Sequence, residues 1–331
     1  MKSPLGRRMR KLVLLVSRAA ALLVLLAAPA RTARATFPGT NGQITFGKFN
    51  RALGDTQVFV SNPDGSHQVQ LTTFPSEISD WSPDGSRVAF DFFDGQTVQI
   101  GTINPDATGF VQLTTDENAF HGEPAWSPDG TRIAIESDAG NFPAGEGIYI
   151  IDASTGTVLS RVSANPFGFF DTNPRWSPDG NWIVFTRARH FAPSRNFHAF
   201  EGVNALFLVH PDGTGLRQLT KWGLNAALPD WSPDGSTIVF VNTEFLPIAS
   251  DLFTIHPDGS GLTLLLKSAA RTGVGNPRWS PDGTKIIFAG GISPGLIGLW
   301  TVNSDGSGAA QIPALTGGAL AFPAWGTHPL H

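Results

Sequence analysis

The pentapeptide Trp-Ser-Pro-Asp-Gly constrains this chain more than any other feature. It occurs five times, at Trp81 to Gly85, Trp126 to Gly130, Trp176 to Gly180, Trp231 to Gly235 and Trp279 to Gly283. A reduced copy, Trp325-Gly326, stands near the end, and the steps between successive Trp residues are 45, 50, 55, 48 and 46. A repeat of this length marks a stacked architecture, and a period of roughly 40–50 residues points to propeller blades.

Each residue of the motif has a physical task. Proline pre-sets φ, Ser and Asp accept hydrogen bonds from nearby backbone amides, and Gly takes the left-handed position. The result is a tight hairpin, a type I turn with a Gly bulge. An apolar run of strand length follows each turn, as in Arg87-Val88-Ala89-Phe90 and Lys285-Ile286-Ile287-Phe288. A second turn lies between the Trp motifs: Asn62-Pro63-Asp64-Gly65, Asn104-Pro105-Asp106, His210-Pro211-Asp212-Gly213, His256-Pro257-Asp258-Gly259 and Asn303-Ser304-Asp305-Gly306, with a degenerate copy at Asp152 to Gly156. Four short strands, A to D, joined by two tight turns and two looser connections, make one blade. The expected fold is all-β: a six-bladed β-propeller with four antiparallel strands per blade.

The combination Pro-x-Trp-Ser-Pro-Asp-Gly-x-x-Ile-x-Phe, then Pro-Asp-Gly, then Gln-Leu-Thr resembles the WD-repeat-like propeller of the TolB family. It covers residues 41 to 326. The resemblance implies a periplasmic protein of the bacterial Tol-Pal envelope system, with a partner such as a peptidoglycan-associated lipoprotein bound near the channel mouth. The chain departs from the family in one respect: TolB has an α/β domain before its propeller, and here the blades follow a different kind of leader. Similar repeats occur in propellers attached to peptidases and in some polysaccharide lyases, and fold alone does not fix function.

The two ends complete each other. Asn41-Gly42-Gln43-Ile44-Thr45-Phe46 matches the turn and strand that elsewhere follow Trp-Ser-Pro, and Phe322-Pro323-Ala324-Trp325 matches the strand that elsewhere precedes it. Strand A of the closing blade is therefore expected from the C-terminus and strands B to D from the N-terminus, which leaves no open edge. Antiparallel alternation then places all Asp-Gly turns on one face of the disc and the variable B–C and D–A connections on the other.

Residues 1–35 read as a signal peptide: Arg7, Arg8, Arg10 and Lys11 precede an apolar run from Leu12 to Ala28, and small residues follow. Residues 36–331 form the propeller domain. No membrane span is expected once the signal is removed, and the location is periplasmic or extracellular. Removing the signal lowers Lys plus Arg from 23 to 15 against 27 acidic residues, a net charge of −12. Such a surface repels phosphate backbones, so nucleic acid is not an expected partner. There is no Cys, hence no disulfide or thiol chemistry.

Polar residues just before the Trp motifs enter the central channel on strand A: Glu77, Asp80, His121, Glu123, Asp171, Asn173, Asn225, Asp230 and Asn276. Of these, His121, Glu123, Asp171 and Asn173 are the candidate binding residues. Three more candidates, Phe191, Phe197 and Phe200, lie on the largest B–C insertion, where aromatic side chains suit a protein or sugar partner. No catalytic residue is assigned. No cofactor is expected, although a structural or channel-bound cation such as calcium suits these oxygen donors. Gly291-Ile292-Ser293-Pro294-Gly295 fits a nucleophile-elbow pattern by letter only, since no strand-to-helix turn surrounds it. The reading is an exported, monomeric, protein-binding propeller of the cell envelope. The alternatives are a metal-assisted lyase or hydrolase in the channel, or a carbohydrate binder. Convergence of His121, Glu123 and Asp171 would favour the enzyme.

Overall fold

The computed structural model describes residues 39–138, 146–164, 168–189, 204–242, 250–268, 273–292, 297–316 and 320–327. All of them belong to the compact unit Arg34–His331. The chain opens with β1 (Ile44–Asn50), β2 (Asp55–Ser61) and β3 (Val69–Gln70). Four strands then recur per repeat. The second blade holds β4 (Ser76–Trp81), β5 (Val88–Phe93), β6 (Val98–Ile103) and β7 (Val111–Gln112), and the third holds β8 (His121–Trp126), β9 (Arg132–Ser137), β10 (Gly147–Asp152) and β11 (Val158–Arg161). The fourth holds β12 (Phe169–Trp176), β13 (Ile183–Arg189), β14 (Asn204–Val209) and β15 (Arg217–Gln218). The fifth holds β16 (Ala226–Trp231), β17 (Ile238–Asn242), β18 (Leu252–Ile255) and β19 (Thr263–Leu266). The sixth holds β20 (Val274–Trp279), β21 (Lys285–Gly290), β22 (Gly298–Asn303) and β23 (Ala310–Thr316), and β24 (Leu320–Trp325) ends the series.

These strands form six four-stranded antiparallel sheets, and the closing blade has the order β24-β1-β2-β3. Ile44 faces Trp325 and Thr45 faces Ala324 across the closure. Gly42 N donates to Gly326 O at 2.9 Å, and Gly326 N donates to Gln43 O at 2.9 Å, so the split turn keeps its backbone bonds. The first strands of the blades (β24, β4, β8, β12, β16 and β20) touch one another in a closed ring around the axis.

No blade has a core of its own. The apolar residues fall into six clusters, and each is a layer between two neighbouring blades. Trp176 packs with Ala134, Ile148, Ile150 and Val162 of the third blade and with Ile183 and Phe185 of its own. Trp231 packs with Val184, Leu206 and Leu208 of the fourth blade and with Ile238 and Phe240 of its own. Trp81, Trp126, Trp279 and Trp325 repeat this arrangement. Each motif Trp is therefore a plate between blades, and burial of such a side chain contributes about 1.5–3 kcal/mol.

The turn works as its composition demands. In the first copy the Ser82 hydroxyl donates to Asp84 Oδ1 at 2.7 Å and accepts from Arg87 N at 2.9 Å, while Ser86 N donates to Asp84 Oδ1 at 3.0 Å. Gly85 has φ 68° and its amide closes the turn on Ser82 O at 2.9 Å. The other four copies repeat the Ser–Asp bond. The Gln-Leu-Thr segment also has a structural task. Strand D is only two residues long in three blades, shorter than its apolar pattern implies. In the fourth blade the Thr220 hydroxyl takes Leu206 N at 2.9 Å, and Gln218 Nε2 donates to Thr220 O at 2.6 Å. Side chains thus continue the outer ladder where the backbone turns away.

Phe169 and Phe170 begin β12 and pair with Arg189 and Ala188. Phe169 lies 5.9 Å from Trp222, and the Arg189 guanidinium sits 3.9 Å over Trp222, so these groups cover the end of the fourth blade. Phe191, Phe197 and Phe200 lie outside the described residues.

Trp231→Ala is expected to cost about 3–5 kcal/mol in urea unfolding, the range for large core truncations; a loss below about 1 kcal/mol would contradict the interblade plate. Ala107 holds φ 64° where the other Pro-Asp turns place Gly. Ala107→Gly is therefore expected to stabilise by about 0.5–1 kcal/mol, the left-handed strain of an L-residue less the added entropy of Gly.

Candidate functional site: the central channel

Strand A of every blade carries a β-bulge three residues before its Trp. In five blades the bulged residue precedes proline and lies in the left-handed region: Glu123 (φ 56°), Asn173 (54°), Leu228 (56°), Asn276 (52°) and Phe322 (50°). In the second blade the proline is replaced by Ser79, and β-branched Ile78 is not in that region. The bulge frees backbone amides on the inner wall, and these need acceptors.

Strand B supplies them. Asp91, Glu136 and Thr186 hold the same position in three successive blades, one residue after Phe90, Ile135 and Phe185. Asp91 Oδ1 accepts from Ile78 N at 2.9 Å and Glu77 N at 3.3 Å, and its Oδ2 accepts from Glu123 N at 3.4 Å. Thr186 Oγ1 accepts from Leu228 N at 3.1 Å. Glu123 reaches onward to the fourth blade: it accepts from Thr172 Oγ1 at 2.5 Å, from Asn173 Nδ2 at 2.5 Å and from the Asn173 amide.

Three carboxyl groups thus meet across the second and third blades. Burial pushes Asp91 up to about 7, and the Glu123 charge pushes in the same direction. Burial raises Glu136 well above the ordinary carboxyl range, and the neighbouring Glu123 charge adds to this. Glu136 faces Gly122 across the β8–β9 pair, which sets it beside Glu123. Among the described residues, no group of three or more His, Asp or Glu side chains is placed to hold a metal ion.

A second set lies nearer the turn face. The residue before each Trp is Asp80, Ala125, Arg175, Asp230, Arg278 and Ala324 in order from the second blade. Asp80 Oδ2 accepts from Trp126 N at 2.8 Å, and Asp230 Oδ2 accepts from Trp279 N at 2.8 Å. Each thus caps the inner edge of the next blade. Burial raises Asp80 to about 6 against the pull of Arg175, and raises Asp230 to about 7 against the Trp279 amide and Arg175.

The candidate residues separate into distinct networks. Glu123 and Asn173 are joined directly. Asp171 is 1% exposed and pairs with Arg187, Oδ1 to Nε and Oδ2 to Nη2 both at 2.6 Å. The Arg187 guanidinium also lies 4.8 Å over Phe207, which makes this cross-strand pair a brace of the fourth blade. His121 is fully buried; burial lowers its pKa, against the charges of Asp116 and Asp138. Asn225 caps a 3-10 turn and accepts from Asn204 N at 2.9 Å. Asp91, Glu136, Arg175 and Arg278 were not among the sequence candidates. Their signal was present: a charge inside an otherwise apolar strand B, and Arg directly before Trp in two of six repeats.

The family model for the TolB beta propeller domain matches residues 41–329. The chain belongs to this family. The Tol-Pal system protein TolB of Bordetella pertussis is 34% identical over 138 residues, which is 40% of this chain and 30% of that protein. The matched stretch is therefore under a third of the curated relative's length. The crystal structure of TolB from Acinetobacter baumannii superposes with a TM-score of 0.67 at 19% identity, covering 86% of this chain and 66% of that one. The oligogalacturonate lyase of Vibrio parahaemolyticus superposes with a TM-score of 0.51 at 14% identity, covering 82% and 73%. At these identities the structural likeness is one of fold.

The carboxyl groups of this TolB-type propeller predict an unusual pH profile. Asp80, Asp91 and Asp230 are raised to about 6–7. Their contribution is complete below the unfolded value near about 4 and is lost as pH rises through about 7. Asp152 of a turn, held down to about 2 by Ser154 and Thr155, works oppositely and is lost as pH falls. The urea midpoint should thus fall between about pH 4.5 and 7.5, and the fall should be smaller in Asp91→Asn. A midpoint that climbs over that interval would refute the assignment.

Proposed function

We propose that this chain is an exported TolB-type propeller that binds a protein of the cell envelope. The observation that carries the reading is the 34% identity to a Tol-Pal system protein, within a family match spanning residues 41–329. The channel geometry supports it. Glu77 is exposed, and Glu123, Asn173 and Asn276 are half-buried, all on the stretch of strand A that starts at the variable face. Such a rim of oxygen acceptors suits a polypeptide that brings Lys, Arg or amide donors. The relatives' name places them in a Tol-Pal system, and the partner proposed here is the peptidoglycan-associated lipoprotein of the same organism. Phe191, Phe197 and Phe200 would add an aromatic anchor at the same face.

A channel lyase or hydrolase is the second reading. One observation favours it: Asp91 and Glu136, two carboxyl groups with raised pKa, lie beside Glu123.

The test is calorimetric titration of the purified chain with that lipoprotein. Saturable binding is expected, weakened at least about tenfold, near 1.4 kcal/mol, when Phe191, Phe197 and Phe200 are all changed to Ser. An absence of binding by both forms would reject the lipoprotein as partner. Turnover of an acidic oligosaccharide that is abolished by Glu136→Gln would establish the enzyme instead.

A further inference from the structure

The two shortest B–C connections belong to neighbouring blades and share the variable face. Four residues join β1 to β2 and four join β5 to β6, where the other blades use seven or more. Both are tight hairpins held by their own side chains. Asn50 O accepts from Leu53 N at 3.2 Å and from Gly54 N at 2.9 Å, and Asn50 Oδ1 accepts from Ala52 N at 3.0 Å. Asp94 Oδ1 accepts from Gln96 N at 2.8 Å and from Thr97 N at 3.0 Å. The apolar layer that these two blades share runs out to Phe92, two residues before Asp94. The tips therefore stand beside each other on a rigid support.

Turns of this kind call for Gly, Asn, Asp or Ser, and both tips contain them. They also carry side chains that folding does not use. Phe49, Leu53 and Phe93 are 42%, 54% and 45% exposed. Arg51 is exposed between the first two, and among the described residues the ion pairs are Arg132–Asp129 and Arg187–Asp171, so Arg51 is in neither. Lys48 is occupied elsewhere, with Nζ donating to Gln68 Oε1 at 3.1 Å and lying 5.1 Å over the Phe59 ring. Asp55 stands at the foot of the hairpin opposite Asn50, so the apex itself carries the positive charge of Arg51. The second tip carries the opposite sign: Asp94 is exposed next to Phe93, and the bonds to its carboxylate both use Oδ1.

An apolar tip with a positive charge beside an apolar tip with a negative charge is a self-complementary surface. A two-fold axis sets each tip of one copy against the other tip of its neighbour, which is what an isologous contact requires. We propose that the hairpin tips of the first and second blades form a symmetric contact between two copies of this chain, with Arg51 of each copy on Asp94 of the other and Phe49, Leu53 and Phe93 packed between them. The contact is small and belongs to the weak, transient class below about 1,200 Å². Two copies of net charge −12 repel at a distance, and the Arg51–Asp94 pairs fix the one register in which they can meet. The aromatic insertion of the fourth blade takes no part, so the proposal stands whether or not the lipoprotein binds.

Sedimentation equilibrium of residues 36–331, from about 1 µM to about 1 mM, tests the contact. A reversible monomer–dimer equilibrium is expected within that range. Leu53→Asp should weaken it by at least about tenfold. Arg51→Glu and Asp94→Arg should each do the same, because each sets like charges together at two symmetric places, and the double variant should return to within about threefold of the unaltered chain. Asp94→Asn keeps the oxygen that caps its turn and should still weaken the dimer, which separates loss of the charge from loss of the turn. Leu159→Ser, on the outer strand of the third blade and 52% exposed, should change nothing. The urea midpoint of each variant checks that it folds. A chain that stays monomeric across the range would overturn the proposal. So would a dimer indifferent to Leu53→Asp, a dimer lost in Leu159→Ser, or single charge reversals that the double reversal does not rescue.

Discussion

The structure depends on one constraint: a single blade cannot bury its own faces. A four-stranded sheet presents apolar side chains on both sides, and here every apolar cluster bridges two blades rather than filling one. The motif Trp occupies each of these layers at the inner end. The ring must therefore close, because an unclosed edge would expose one whole layer. Closure is achieved by chain order alone, with β24 of the C-terminus pairing β1 of the N-terminus. Cooperativity follows from the same constraint, since each layer is shared and none can be lost without loosening two blades.

Packing blades around an axis has an electrostatic consequence. The first strands converge, so their bulges and pre-Trp residues are crowded together in a low-dielectric space. The inner edges have no next strand to satisfy their amides. Carboxylates take over that role: Asp91 for Glu123 and Ile78, Glu123 for Asn173, Asp80 for Trp126 and Asp230 for Trp279. Burial at that wall raises the pKa of Asp80, Asp91 and Asp230, while the amides they accept from pull the other way. Structural capping and functional potential are not separable here, because these three aspartates both hold the inner wall and titrate.

The two faces of the disc divide the labour. The turn face is built from repeated Asp-Gly hairpins whose aspartates are saturated by local donors, as at Asp84 and Asp152. Among the described residues, grooves of about 700 and 840 Å³ lie between the second and third and between the fifth and sixth blades and are lined by those turns. The opposite face carries the variable connections, and there Phe169, Trp222 and Arg189 shield a blade end. Variation concentrated on one face of a rigid scaffold is the arrangement expected of a binding propeller.

Most of the fold was legible in the sequence. Trp-Ser-Pro-Asp-Gly set the period, the split between Asn41-Gly42 and Trp325 set the closure, and each turn residue does locally what its chemistry requires. These are short-range properties, decided within about ten residues, and so one chain carries them openly. The site was legible only in part. Glu123 and Asn173 were singled out because they stand next to the repeat, and they hydrogen-bond each other. Asp171 was found by the same rule but is spent on Arg187, since its register on β12 places it directly opposite that residue on β13. Asp91 and Glu136 were passed over because strand B reads as apolar, and a polar residue within it gains meaning only beside the bulge of the next blade. That Asp80 caps Trp126 and Asp230 caps Trp279, each in the next blade, was decided by tertiary structure alone. Sequence position tells which strand a charge occupies, whereas the packing of six first strands around one axis determines which amide of the next blade it meets.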